Sequence, residues 1–389
     1  MLDIVDQELF SQLEAHLRST ELNWLLGAGI SFDAKLPLMY PLTDKVLSDI
    51  ESENADLYNK VILPLKNELD DKCHIEHILS HLGDYAALAE RSSSKTIKIL
   101  DDIVTLDEFV KAHQLVIQNI SNIIRFGYKK GWGSEPDEIG SADNQIVCVE
   151  SHTEFIDSLF NYSQAGVTER RKAVNLFTTN YDTLIEDSLA LNRIPYWDGF
   201  SGGAVAYRTT SYGKNIPDAG QRANVIKIHG SIDWHLCDKG YIWRVRDNNK
   251  YPSTLGRVLI YPQATKYIAT QQDPFSTQFD FFRKSLHSEN SNVLAVCGYS
   301  FGDEHINNEI ELAMSKDQNR TTLVAFLECA DEIPAFLENM RKSIYGNRIF
   351  IVSKRGLYVG NDEPIKRMDE DFWWTFKGVT DLLKNGCEV

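Results

Sequence analysis

A chain of 389 residues with 40 basic and 56 acidic side chains has a net charge of −16, and its 43% hydrophobic and 25% charged content is that of folded globular chains, which excludes a disordered or fibrous protein. The acidic balance disfavours an autonomous binder of nucleic acid or of a membrane surface and leaves direct nucleic-acid contact only to a local basic patch. No apolar run approaches the ~18–20 residues of a membrane span, and Met1-Leu2-Asp3-Ile4 lacks the basic start of an export signal, so a soluble, cytoplasmic protein of about two domains is expected.

In chain order, Leu9 to Leu17 reads as a short amphipathic helix. Leu22-Asn23-Trp24-Leu25-Leu26 reads as a strand that stops at Gly27-Ala28-Gly29. From Thr43 to Tyr128 apolar residues recur at helical spacing (Leu47, Ile50, Val61, Leu65, Ile78, Leu82), with helices predicted over Ile97–Ile103 and Leu106–Ile124, the latter with Thr105 or Asp107 as cap. The glycine- and serine-rich stretch from Gly127 to Gln145 reads as a loop or linker. Beyond residue 150 short apolar runs alternate with helices: Ala173–Phe177, Asn224–Ile228, Tyr241–Val245, Val258–Tyr261, Val293–Val296, Thr322–Leu327 and Arg348–Val352. Buried runs followed by turns and helices predict a parallel sheet covered on both faces. The fold class expected is therefore α/β, a Rossmann-like, mostly parallel sheet with a helical domain inserted after the first strand. Residues 1–35 supply that strand and its glycine turn, 36–150 the insertion, and 151–389 the rest of the sheet domain.

Four strand ends carry the polar residues. At Gly27-Ala28-Gly29-Ile30-Ser31 two residues without a Cβ allow a tight turn and close approach of a phosphate, although Phe32 stands where the G-x-G-x-x-G pattern has its third glycine; a plain strand–turn–helix reads the same residues equally well. Thr178-Thr179-Asn180-Tyr181-Asp182 follows the next strand, and Asn180 or Asp182 also suits a helix cap. Lys227-Ile228-His229-Gly230-Ser231 puts a histidine at a strand tip, either a base that titrates near neutrality or a neutral, hydrogen-bonded core residue. Cys297-Gly298-Tyr299-Ser300-Phe301-Gly302-Asp303 makes the fourth turn.

The six cysteines, at 73, 148, 237, 297, 329 and 387, are at least 32 residues apart, so neither a C-x(2–4)-C zinc site nor a disulfide framework is expected. His74, His77 and His81 share a helical face near Cys73, but without an H-E-x-x-H pattern they read as a solvated or inter-helix face, and no metal ligand is assigned. Asp371-Phe372-Trp373-Trp374-Thr375-Phe376 reads as either core or an interface anchor.

Taken in order, GAG-x-S, N-x-D, H-G and G-Y-S resemble the NAD-binding set of the sirtuin family, over about residues 20–35 and 170–330. The resemblance implies a Rossmann-like NAD site in which Gly27, Ala28, Gly29 and Ser31 meet the pyrophosphate. Asn180 and Asp182 would face the nicotinamide ribose and carboxamide, with Thr179 in place of the family's glutamine. His229 would be the catalytic histidine, with Asn180 beside it, and Gly298 and Ser300 would line the adenosine side. Pro37 occupies the family's proline turn, but Met39 and Tyr40 stand where an arginine is usual, and the zinc ribbon of the deacylases is missing. Ile75 to Leu82, the helical insertion and Ile232-Asp233-Trp234 look like the sirtuin-like branch of bacterial antiphage defence. That branch implies cleavage of NAD+ to nicotinamide and ADP-ribose, often beside a HerA-type hexameric ATPase. A cell must restrain such an enzyme, so a homo-oligomer is expected, closed by the helical insertion or by the segment around Trp373 and Trp374. The alternatives are an NAD-dependent protein deacylase and a nucleotide-binding sensor or scaffold with little turnover.

Overall fold

The computed structural model describes residues 4–165, 172–209, 220–237, 239–246, 254–259, 274–289, 291–328, 332–366 and 372–387. Its centre is an eight-stranded sheet. Strand β1 (Leu22–Leu26) lies between β6 (Val174–Thr178) and β14 (Asn292–Cys297). On the β6 side follow β10 (Ala223–Lys227) and the short β7 (Tyr196–Trp197), all parallel. On the other side β15 (Thr321–Leu327) and β16 (Ile349–Ser353) continue the parallel order, and β17 (Gly356–Val359) closes it antiparallel. Every residue of β1, β10, β14, β15 and β16 is buried, as a parallel sheet covered on both faces requires.

The side chains of alternate residues build the two covering layers. Trp24, Leu26, Leu176, Val225 and Ala295 pack with Leu13 of α1 (Ile4–Leu17), Phe155 of α5 (Glu150–Asp157), Leu189 of α6 (Leu184–Leu191) and Val379 of α10 (Phe376–Asn385). Leu25, Phe177, Ile226 and Val296 face Phe282 of α7 (Phe275–Ser285), Ile310 of α8 (Glu304–Met314) and Leu337 of α9 (Ala335–Arg341). Trp373 belongs to the first layer, edge-on to Phe10 with ring centroids 5.9 Å apart, while Phe372 is exposed.

A row of amides crosses the sheet near the amino ends of its central strands. Asn224 Nδ2 donates to Asn175 Oδ1 at 2.9 Å, Asn175 Nδ2 to Asn23 Oδ1 at 2.7 Å and Asn23 Nδ2 to Asn292 Oδ1 at 2.8 Å. Asn292 Nδ2 passes the row on to Thr321 Oγ1 at 2.9 Å. Buried amides need partners, and here each strand supplies the partner of the next.

Residues 36–150 hold α2 (Met39–Glu53), α3 (Ile75–Arg91) and α4 (Leu106–Phe126), joined by short helical segments over 55–67. Thr105 Oγ1 accepts from the Glu108 amide at 3.3 Å while the Glu108 carboxylate accepts from the Thr105 amide at 2.8 Å, the reciprocal cap that starts α4. Two expectations fail in this block. Residues 97–103 form no helix: β2 (Thr96–Ile99) and β3 (Asp102–Thr105) make a hairpin. Its two-residue loop has Leu100 at φ 52°, the left-handed backbone such loops need. The linker after Gly127 likewise contains a small hairpin, β4 (Tyr128–Lys129) with β5 (Glu138–Ile139).

The runs at 241–245 and 258–261 do not enter the parallel sheet. They lie in a second, antiparallel sheet of order β13 (Thr254–Leu259), β11 (Gly230–Cys237), β12 (Ile242–Val245), β9 (Val205–Arg208) and β8 (Phe200–Gly202). The turn at Gly240, φ 79°, is too short for the crossover that a parallel pair requires. Residues 260 and 261 lie outside the described residues, as does Cys329. Among the described residues no helix is long and apolar enough to cross a membrane.

Candidate active site

In an open α/β sheet the ligand crevice lies at the carboxyl ends of the strands, where the chain order reverses. Here the reversal falls at β1: the chain next enters β6 on one side and reaches β14 on the other much later. The four polar segments follow β14, β1, β6 and β10, four neighbours in the sheet.

The turn after β1 is a 3-10 helix over Ala28–Ser31. Its glycines answer first to the neighbouring loop. The Gly27 amide donates to the Cys297 carbonyl at 3.0 Å and the Gly29 amide to the Gly298 carbonyl at 2.9 Å. A Cβ on Gly27 would lie 2.5 Å from the Gly298 oxygen, and one on Gly298 would lie 2.5 Å from the Ile30 nitrogen. Gly298 also has φ 67°, a backbone that favours glycine. Close packing of two turns thus accounts for these residues, and the Gly27 and Gly29 amides already serve the fold.

Ser31 is buried beneath this turn. Its hydroxyl donates to Asp182 Oδ2 at 2.9 Å and accepts from Asn180 Nδ2 at 3.1 Å. The same Nδ2 donates to the Gly27 carbonyl at 3.1 Å, which fixes the orientation of the amide. Asn180 Oδ1 is left buried without a hydrogen-bond partner. Asp182 uses its other oxygen to accept from the Leu184 amide at 3.0 Å, at the entrance to α6. Thr178 Oγ1 steadies the segment by accepting from the Asn180 amide at 3.0 Å and donating to the Leu26 carbonyl at the same distance. Thr179 extends the β1 pairing through its amide, 3.1 Å from the Leu26 carbonyl, and keeps a half-buried side chain.

His229 is buried at the tip of β10, and Gly230, φ 86°, turns the chain there into β11 of the second sheet. Its Nε2 lies 3.8 Å from Asp303 Oδ2. Below it the Lys227 ammonium is buried, donating to the Asp182 carbonyl and standing 3.5 Å from the Glu186 carboxylate. Burial pushes the Glu186 carboxyl up, against the pull of Lys227 and Arg246. Ser300 is exposed on the fourth turn. Burial drives the Cys297 thiol up to about 12, so it is no nucleophile at neutral pH.

The structure therefore brings Gly27, Gly29, Ser31, Asn180, Asp182 and Gly298 into one bonded group, with His229 on the next strand. Further residues stand beside this group. His152, on α5, is buried with Nε2 3.5 Å from Ser31 Oγ; burial lowers its pKa, with Asp182 and Asp33 opposing. Asp303 and His305 approach His229. Asp303 closes the CGYSFGD turn, which was the only available signal, and His305 follows it on α8. His74 and His77 lie together, their ring centroids 3.9 Å apart and the His77 ring accepting from the His74 amide at 3.2 Å, but His81 turns to Glu68, 2.8 Å from its Nε2, and the three do not form a convergent ligand group among the described residues. A surface depression of about 620 Å³ near Ser288 and Lys316 sits beside the segments that lead into β14 and β15, at the edge opposite the four turns.

The fold and the four turns define a Rossmann-like α/β domain of the kind that binds a dinucleotide. Residues 174–345 match the family described as the SIR2-like domain, and β1 with its glycine turn lies between strands of that matched region. No curated protein matches the chain. An NAD-dependent activity is in keeping with such a domain.

Proposed function

We propose that this protein is an NAD+ glycohydrolase that releases nicotinamide and ADP-ribose. The observation that carries the reading is the Asn180 carboxamide: its Nδ2 is held by Gly27 and Ser31, and its buried Oδ1 has no partner. A buried acceptor without a donor is costly, and a water or ribose hydroxyl in the crevice satisfies it. The scissile bond is already activated, because nicotinamide leaves neutral from a cationic pyridinium through an oxocarbenium-like state. What the protein supplies is position and a proton acceptor. Asn180 Oδ1 orients the attacking water or the ribose hydroxyl, and His229 takes its proton as the new C1′–O bond forms. Asp182 stands behind Asn180 through Ser31, and Ser300 is open to the adenosine side. On the motif resemblance, the same reading extends to an effector that depletes NAD+ in antiphage defence, acting as a homo-oligomer with a HerA-type ATPase.

The test is nicotinamide release by the full-length chain, alone and with that ATPase. Asn180→Ala and His229→Ala should each lower the rate at least about a hundredfold while circular dichroism shows both variants still folded. Retention of more than about a tenth of the wild-type rate in both overturns the assignment. Turnover only with an acyl-lysine peptide would move the protein to the deacylases.

A further inference from the structure

His229, Asp303 and His305 converge. Each offers one ligand atom, and all three atoms lie within 4.8 Å of one another, the one such group among the described residues. The rings of the two histidines are 5.9 Å apart, centroid to centroid. The 3.8 Å between His229 Nε2 and Asp303 Oδ2 exceeds a direct N–H···O bond. It suits two ligands of one ion, each about 2.1 Å from the metal; the widest pair needs to close by about an ångström, within reach of side-chain torsions.

Three further features point the same way. Asp303 occupies the cap position of α8, an 11-residue helix, yet its side chain makes no capping bond there, although aspartate is among the favoured caps. Its loop is also tightly held: Phe301 has φ 57°, Asn307 Nδ2 donates to the Phe301 carbonyl at 2.8 Å, and the Tyr299 hydroxyl both accepts from the Asp303 amide and donates to its carbonyl at 3.3 Å. Non-glycine residues at such φ persist where the surroundings impose them. Phe279, 5.4 Å from the His305 ring, adds an apolar wall of the sort that surrounds metal centres.

We propose that His229, Asp303 and His305 bind a divalent transition-metal ion of the zinc class, and that loading the site silences the enzyme. Two imidazoles and a carboxylate with open positions are a recognised ligand set for such ions. The silencing half rests on the hydrolase reading: the imidazole lone pair that ligates a metal cannot accept a proton. The spacing of 229, 303 and 305 matches no zinc motif, so only the fold reveals the group.

The experiment uses the full-length protein after chelation. Cobalt(II) is titrated and followed by its visible absorption, then displaced with zinc. The expected result is a single cobalt site per chain, weakened at least about tenfold in Asp303→Asn and in His305→Ala and retained when His74 and His77 are both replaced by alanine. Folding of each variant is checked by circular dichroism. Zinc should suppress nicotinamide release in the wild type and do so less in His305→Ala. Absence of stoichiometric cobalt binding, or its loss in the His74 and His77 variant but not in His305→Ala, overturns the site. Binding with undiminished turnover overturns the silencing. Binding with no nicotinamide release, metal-free or loaded, leaves the site standing and overturns the hydrolase reading.

Discussion

Ser31 illustrates how a single buried hydroxyl can orient its neighbours. By accepting from Asn180 and donating to Asp182 it fixes the amide whose buried Oδ1 has no partner. Ser31→Ala leaves both partners short of a hydrogen bond, a cost of about 1–3 kcal/mol. The expected outcome is a fall in kcat of about tenfold with KM for NAD+ little changed; an unaltered kcat would show that Gly27 alone orients Asn180. His152 beside it gives a pH dependence. Burial lowers its pKa from the ordinary 6.5, so the unfolded chain binds the proton more readily. Its stabilising contribution is whole above about pH 6.5 and is lost as pH falls through the folded value. Thermal midpoints from pH 7.5 down to 5 should fall more steeply in the wild type than in His152→Gln. Equal slopes would sink this assignment. At this level the sequence was partly legible. Asn180, Asp182 and His229 are recognisable as polar residues at strand tips. The reason for Gly27 was not, because Gly298, whose oxygen a side chain there would strike, is far away along the chain.

Strands β1, β10, β14, β15 and β16 were legible for a physical reason: strands buried on both faces are near-continuous apolar runs. The hairpin of β2 and β3 was not, since Ile97, Ile99, Ile103 and Val104 form an apolar cluster short enough to fit either period. The antiparallel sheet is less legible, because the composition of Ile242-Trp243-Arg244-Val245 suits either kind of sheet and only the short turn at Gly240 marks an antiparallel pair. The asparagines at 23, 175, 224 and 292 stand near the start of four runs, and that repetition was a signal of register. Asn23 sits in the middle of the row, so Asn23→Ala deprives Asn175 and Asn292 together. A loss of about 2–4 kcal/mol is expected, read as a lower denaturant midpoint with unchanged slope. A shift below about 0.5 kcal/mol would show that the row contributes little.

The helical block and the site share one core. Tyr181, Leu184 and Ile232, which flank Asn180 and His229, pack into the same cluster as Ile78, Leu79 and Val116 of the block. Tyr181 also donates to the Glu76 carboxylate of α3 at 2.9 Å. A second link runs through the Arg125 guanidinium of α4, 3.5 Å from the Arg246 carbonyl, while Arg246 pairs with Asp233 of β11 at 3.2 Å. A ligand or partner that prefers one position of the block would therefore act on the residues beside the Asn180 amide, and would shift the equilibrium only by its preference between the two positions. Tyr181→Phe removes the bond to Glu76 and keeps the ring. It should change kcat at least about threefold, the scale of such couplings, with KM for NAD+ held; an unchanged kcat would confine the link to packing.

The place of β1 also has a consequence in time. Of the sheet's strands it is the earliest in the chain, yet it lies inside the finished sheet, and Asn23 meets its partner Asn292 only after 269 further residues have been added. At translation speeds of 5–20 residues per second that wait lasts about 15 to 50 s. Through it a largely apolar strand must wait with its β14 edge open. Chains halted before β14 should therefore collect in the insoluble fraction, whereas the full-length chain stays in solution.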